Sequence, residues 1–181
     1  MNKDDSDWFP VAITVEQALT RLLELIRTSK TSYDFTPARL GKVMQVPIAP
    51  GEGGRNGYGQ GGLVTPQWNL GFGVDLDWAG TFELSLNPRP IGTSPSLTGL
   101  CQMDFDRFTA ELEAMGFTRP HPYRSPPQPP PGEESLPHGG LMYDYFDGPG
   151  MGIHVYPQGE SDENPGHLCV EKVMIYGRRL E

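Results

Sequence analysis

From Trp68 onward the chain alternates without a break. Trp68, Leu70, Phe72, Val74, Leu76 and Trp78 take the even positions, and Asn69, Gly71, Gly73, Asp75 and Asp77 take the odd ones. Successive side chains of an extended chain point to opposite faces, so a strict period of two marks a strand with one apolar and one polar face. Ala79-Gly80 supplies a turn, after which Phe82, Leu84 and Leu86 resume the alternation until Pro88 and Pro90 end it. The two runs are expected to pair as an antiparallel hairpin whose first strand extends to Trp78. Glycine on the outer face is unusual for a surface strand and points to bulges or to close approach of another backbone.

Two amphipathic helices frame this hairpin. Thr14 and Gln17 form a capping box ahead of Val15, Ala18, Leu19, Leu22, Leu23 and Ile26, which share one face of a helix over 14–28. Asp104 or Asp106 caps a second helix over 105–115 that carries Phe105, Phe108, Leu112 and Met115, with Gly116 as a left-handed stop. Thr36-Pro37 opens a shorter element that Gly41 is expected to end. Further strands are expected at Leu141–Phe146, Met151–Tyr156 and Leu168–Tyr176, the last two separated by a polar loop over 158–166. The glycine-rich stretch 51–62 reads as a mobile loop, and 118–140, with its eight prolines, as an extended proline-rich connector.

The chain of 181 residues is therefore expected to be a single α+β domain over 1–181, with an antiparallel sheet, two main helices and long Gly/Pro-rich loops. The order of helix, hairpin, helix and three strands has the form of a duplication, although no residue-level repeat accompanies it. The expected core comprises Leu19, Leu22, Leu23 and Ile26 from the first helix. Phe108, Leu112 and Met115 come from the second, and Trp68, Leu70, Phe72, Val74, Phe82 and Leu84 from the hairpin.

Fourteen Lys and Arg stand against 23 Asp and Glu, a net charge of -9, and residues 101–181 carry most of that excess. Nucleic-acid affinity rests on neutralising phosphates with cations, so neither a nucleic acid nor an anionic membrane is an expected partner. The opening residues lack the basic start and apolar run of a secretory signal, and no apolar stretch is long enough to span a bilayer, so a cytoplasmic location is expected. On that basis Cys101 and Cys169 are read as two reduced thiols.

No segment carries a catalytic signature. The stretch 51–62 has neither the preceding strand, the following helix nor the Lys-Ser/Thr of a phosphate loop. His121, His138, His154 and His167 lack metal-ligand spacing, so no metal and no cofactor is expected. The pairs Asp75/Asp77 and Asp104/Asp106 read as strand-face charges and helix caps. A hydrolase built on Cys169 with His154 or His167 and Asp144 is an alternative, as is an adaptor engaging a partner through the prolines of 120–131.

What stands out is a mixture of tyrosines and acids in the second half of the chain. Tyr143, Asp144, Tyr145, Asp147, Tyr156, Glu160, Asp162 and Glu163 are the candidate partner-binding residues, the acids for steering and the tyrosines for anchoring. In size, acidity and element order the chain resembles an immunity protein of a bacterial polymorphic toxin or type VI secretion system. That resemblance implies a non-catalytic binding protein, not an enzyme, which neutralises a cognate and basic toxin by occluding its active site or substrate groove.

Overall fold

A computed structural model describes residues 13–121 and 144–178. Three helices, α1 (Val15–Arg27), α2 (Pro37–Met44) and α3 (Phe105–Ala114), accompany one antiparallel sheet of eight strands. These are β1 (Ala49–Pro50), β2 (Gly57–Thr65), β3 (Trp68–Asp75), β4 (Thr81–Pro88), β5 (Thr118–His121), β6 (Asp144–Gly148), β7 (Met151–Gly159) and β8 (Leu168–Gly177). The expected α+β class with an antiparallel sheet is what the chain adopts.

The sheet order is β1-β2-β3-β4-β8-β7-β6-β5. The first half of the chain is thus two helices followed by a four-stranded meander and the second is one helix followed by another, and the halves join along their last strands, with Phe82 facing Ile175 and Leu84 facing Val173. The duplication read from element order exists as topology.

Helix α1 starts where Thr14 and Gln17 cap each other, Thr14 Oγ1 accepting from the Gln17 amide at 3.1 Å and Gln17 Oε1 from the Thr14 amide at 3.0 Å. It buries Val15, Ala18, Leu19, Leu22, Leu23, Leu25 and Ile26. Helix α3 begins at Asp104, whose carboxylate accepts from the Arg107 amide at 2.8 Å, and ends as Gly116 turns to a φ of 93°. Against these helices lie the even positions of β3, with Phe82, Leu84, Val173, Ile175, Ile153, Val155 and Phe146 from the neighbouring strands. All expected core residues are buried except Met115, which packs at the margin.

Four expectations are corrected. Helix α2 runs through Gly41 to Met44, because Leu40 and Met44 bury one turn apart and reward continuation of the helix. The segment 51–62 is not a long loop: Gly57–Thr65 is strand β2, paired along nearly its whole length with β3, and only the turn before Gly57 remains outside it. Likewise β7 extends to Gly159, shortening the polar loop that follows. Finally, β3 stops at Asp75. Asp75 Oδ1 accepts from the amides of Asp77 at 2.9 Å and Trp78 at 3.2 Å, closing a local turn that competes with the ladder. Leu76 and Trp78 consequently leave the apolar face, Trp78 with 70% of its surface exposed. Of the proline-rich connector, Thr118–His121 forms β5, and the rest lies outside the described residues.

The outer-face glycines separate into two kinds. A Cβ on Gly59 would lie 2.3 Å from the Phe72 carbonyl oxygen, and one on Gly73 2.5 Å from that of Tyr58, so β2 and β3 approach too closely there for any side chain. A Cβ on Gly71 meets nothing within 4 Å. Gly71→Ala should therefore be neutral or stabilising by about 0.5–1 kcal/mol, the usual cost of glycine inside a strand. Gly59→Ala should be clearly destabilising, because the obstacle is the Phe72 backbone, which cannot rotate away. Urea unfolding of both variants checks the pair, and equal effects would show that β2 and β3 are not held that closely.

Candidate functional site

All three helices pack on one side of the sheet core, so the alternate residues of the strands form a second face that no helix covers among the described residues. The register lays that face out in rows. One row runs Gly59, Gly73, Glu83, Met174, His154, Tyr145, and the next Gly61, Gly71, Ser85, Lys172, Tyr156. In these two rows the face is bare of side chains over β2 and β3 and bulky over β6, β7 and β8.

The bulky half is an aromatic cluster around His154. The ring centroids of Tyr176, Tyr145 and Tyr156 lie 4.9, 5.3 and 6.5 Å from that of the imidazole, all at steep interplanar angles. Burial among these rings lowers the His154 pKa below its ordinary value of 6.5, because it disfavours the charged form. The hydroxyls of Tyr156 and Tyr176 both donate to Met174 Sδ at 3.6 Å. Lys172 stands 5.6 Å above the Tyr156 ring and pairs with Glu83 at 3.3 Å, while Arg178 pairs with Asp147 at 2.5 Å and donates to the Tyr145 hydroxyl.

Toward β2 the face sinks into a hollow of about 520 Å³ whose lining includes Arg55, Asn56, Gly57, Gly73, Asp75, Trp78, Thr81, Glu83, Lys172 and Met174. Exposing Trp78 beside this hollow sacrifices burial that the fold elsewhere secures for every other described tryptophan.

A second polar cluster closes the end of the β7–β8 hairpin. His167 Nδ1 lies 3.1 Å from Glu160 Oε2 and its Nε2 3.1 Å from Asp104 Oδ2, so the ring bridges the hairpin loop to the N-cap of α3. The bond to Glu160, and then that to Asp104, raises the His167 pKa above its ordinary 6.5; the same bond lowers that of Glu160 from 4.5. The backbone runs with it: Leu97 N donates to Glu160 O at 2.7 Å, and Asp104 forms a bridge with Cys169. That route brings Cys101 to Cys169, which are joined as a disulfide with Cα atoms 5.3 Å apart. The expectation of two reduced thiols is corrected, because the chain leaving β4 returns along the base of this hairpin.

The clamp has a signed pH dependence. His167, raised in the fold, contributes stability that is complete below its ordinary value of 6.5 and lost as pH rises through its higher folded value. Glu160, lowered, contributes above 4.5 and loses that contribution as pH falls through its folded value. Wild type should therefore exceed His167→Gln in stability most between these limits, and the gap should narrow toward pH 9. The lowered His154 is common to both proteins and cancels from the difference. A gap constant from pH 5 to pH 9 in urea unfolding would contradict the assignment.

Of the candidate residues, Tyr145 and Tyr156 share the open face with Tyr176, with His154, named in the sequence only as a base of the hydrolase alternative, and with Lys172 and Met174, which the sequence reading missed. Both tyrosines are half-buried rather than freely exposed. Asp147 lies at the edge of the same face, held by Arg178. Asp144 enters β6 opposite Val155, and Tyr143 lies outside the described residues. Glu160 is engaged by His167 and Asn164, whereas Asp162 and Glu163 are exposed in the hairpin loop. The acids of 160–163 and the tyrosines therefore do not form one contiguous cluster. Trp78 was missed because the alternation assigned it to the inner face; the signal that could have found it is Asp75 ahead of Ala79-Gly80, a turn in place of a continued strand.

Comparison with protein families, with curated sequences and with solved structures gave no match. Among the described residues no group of three or more His, Cys, Asp or Glu is arranged to hold a metal ion, and no helix is long and apolar enough to cross a membrane. The cysteine-based alternative meets a direct obstacle: a thiolate nucleophile needs a free sulfur, and that of Cys169 is bonded to Cys101.

Proposed function

We propose that this chain is an acidic binding protein that acts as an immunity-type inhibitor, laying the open face of its sheet over the active site or substrate groove of a basic toxin. The observation that carries this reading is the sheet face that none of the described helices covers, where an exposed Trp78, three tyrosines and a histidine gather beside a hollow. Tyrosine and tryptophan are the residues on which interface energy concentrates, since they bury large areas with few rotatable bonds. The net charge of -9 favours a cationic partner and speeds the encounter.

The test is co-expression with the product of the adjacent gene, followed by hydrogen exchange on the purified pair. The expected result is a 1:1 complex of nanomolar affinity whose protection falls on β8, β7, β6 and the turn at Trp78. In that complex Asp162→Lys with Glu163→Lys should slow association at low salt, while Tyr156→Ala should speed dissociation about thirtyfold, the effect of losing roughly 2 kcal/mol at an anchor. Absence of a complex, or protection confined to the helical side, would overturn the reading.

A further inference from the structure

We infer that the Cys101–Cys169 disulfide and the His167 bridge form one pH-sensitive redox latch, in which oxidising the thiols strengthens the bridge and a closed bridge favours oxidation by the same factor. Both ties join the same two pieces of chain. One is the strap 90–104 between β4 and α3, and the other is the end of the β7–β8 hairpin, 159–169. The disulfide spans 68 positions and the contact of His167 with Asp104 spans 63, so closing either draws in nearly the same loop. The chain entropy of bringing the two pieces together is lost once, whichever tie forms first. Once the disulfide is made, three positions separate Cys101 from Asp104 and two separate His167 from Cys169, so the bridge closes from short range. The converse holds equally, because a closed bridge leaves the two thiols within reach of each other.

Both sulfurs are buried, so a reductant reaches them only when the strap lifts from the hairpin. Opening then takes two electrons from a dithiol. Its thiolate attacks one sulfur, the other leaves and takes up a proton, and the second sulfur of the dithiol displaces the first, giving two protein thiols and the cyclic disulfide of the reductant. Besides the backbone bridge of Asp104 with Cys169, the strap is held by Leu97 N and Ser96 Oγ, which donate to Glu160 O at 2.7 and 3.4 Å. The His167 bridge alone adds charge to these ties, and it needs a protonated ring. Glu160 meets it from the hairpin and Asp104 from the N-cap of α3, each at 3.1 Å. From Pro90 to Met103 the strap has no charged side chain. The other charged groups flanking the bridge are Asp162 and Glu163 of the hairpin loop, with Asp106 and Arg107 of the first turn of α3, Arg107 being drawn to Glu16 at 3.7 Å. Acids prevail, in keeping with the raised His167 pKa. Above that raised value the bridge fails, and the latch becomes a plain disulfide.

The experiment equilibrates the full chain with known ratios of reduced and oxidised dithiothreitol, near neutral pH and at pH 9, then alkylates and counts the protein thiols by mass. Near neutral pH His167→Gln should be reduced about threefold more readily than wild type, the usual weight of a part-exposed ion pair. By pH 9 the ratio should fall to one. Ionisation of the reductant and of the cysteines is common to both proteins and cancels from the ratio. Asp104→Asn keeps an oxygen to cap the Arg107 amide while removing the charge, and should reproduce the loss. Reciprocally, the His167 ring followed by nuclear magnetic resonance should titrate closer to its ordinary 6.5 in the reduced protein than in the oxidised one. Equal reduction of variant and wild type near neutral pH, a ratio that persists at pH 9, or a His167 titration indifferent to reduction would overturn the inference. Loss of the far-ultraviolet circular dichroism on reduction would overturn it too, because the whole fold and not a latch would then be opening.

Discussion

Phe82→Ala should lower the unfolding free energy by about 3–5 kcal/mol, the usual range for deleting a fully buried aromatic ring. Phe82 is 0% exposed, meets Phe35 edge to face with centroids 5.5 Å apart, and sits opposite Ile175 where the two meanders join. A cavity there removes packing from both halves at once. The comparison is Leu22→Ala or Leu112→Ala, each a fully buried helix residue expected to cost about 2–5 kcal/mol. Denaturant unfolding followed by far-ultraviolet circular dichroism and by tryptophan fluorescence should give one coincident transition in wild type. A loss below about 1 kcal/mol for Phe82→Ala would mean that the seam between β4 and β8 is not packed as described.

Reducing the disulfide should cost about 4 kcal/mol. Cys101 and Cys169 are 68 positions apart, and closing a loop of that length removes roughly this much chain entropy from the unfolded state. The effect should appear as a large fall in urea midpoint on adding reductant, and Cys101→Ser should reproduce it without reductant. Alkylation of the denatured, unreduced protein should find no free thiol; two alkylated cysteines would refute the bond directly. Disulfides persist in oxidising compartments and are reduced in the cytosol, so the same alkylation on protein drawn from each tells which stability the molecule has where it works.

The helices and the hairpin were legible because their signals are local. Thr14 with Gln17, and Asp104 with the face of Phe105, Phe108 and Leu112, lie within a few turns of one another. Their capping and periodicity need no distant partner. The strand at 57–65 was not legible because Gly57, Gly59 and Gly61 carry no side chain with which to show a period. What fixes that strand is its neighbour, through the close approach of Gly59 to Gly73, and such pairing is written in no single segment. Trp78 shows the opposite failure. Its apolar phase was real, but an Asp75 side chain bonded to its own backbone ended the ladder three residues earlier. The site divides in the same way. Tyr145 and Tyr156 could be named from composition and alternation, whereas His154, Tyr176 and Met174 join them only through cross-strand register. Glu160 looked like a free surface charge until the fold brought against it His167, whose other ring nitrogen meets Asp104.

The seam also sets an order of events during synthesis. Every hairpin of the first meander closes over short loops, yet β4 finds its second neighbour only in β8, because Phe82 pairs with Ile175. Ribosomes add roughly 5–20 residues per second, so about 4–18 s separates completion of the β4 strand from that of the one that covers it. Throughout that interval a nascent chain carries a strand with one apolar face and a row of unpaired amides and carbonyls. Such an edge is the feature that invites pairing with a neighbouring chain. Yield should therefore fall with translation slowed between the two meanders, and rise with a chaperone that shields strand edges, even though in the finished molecule β8 pairs with that edge over Phe82–Ser85.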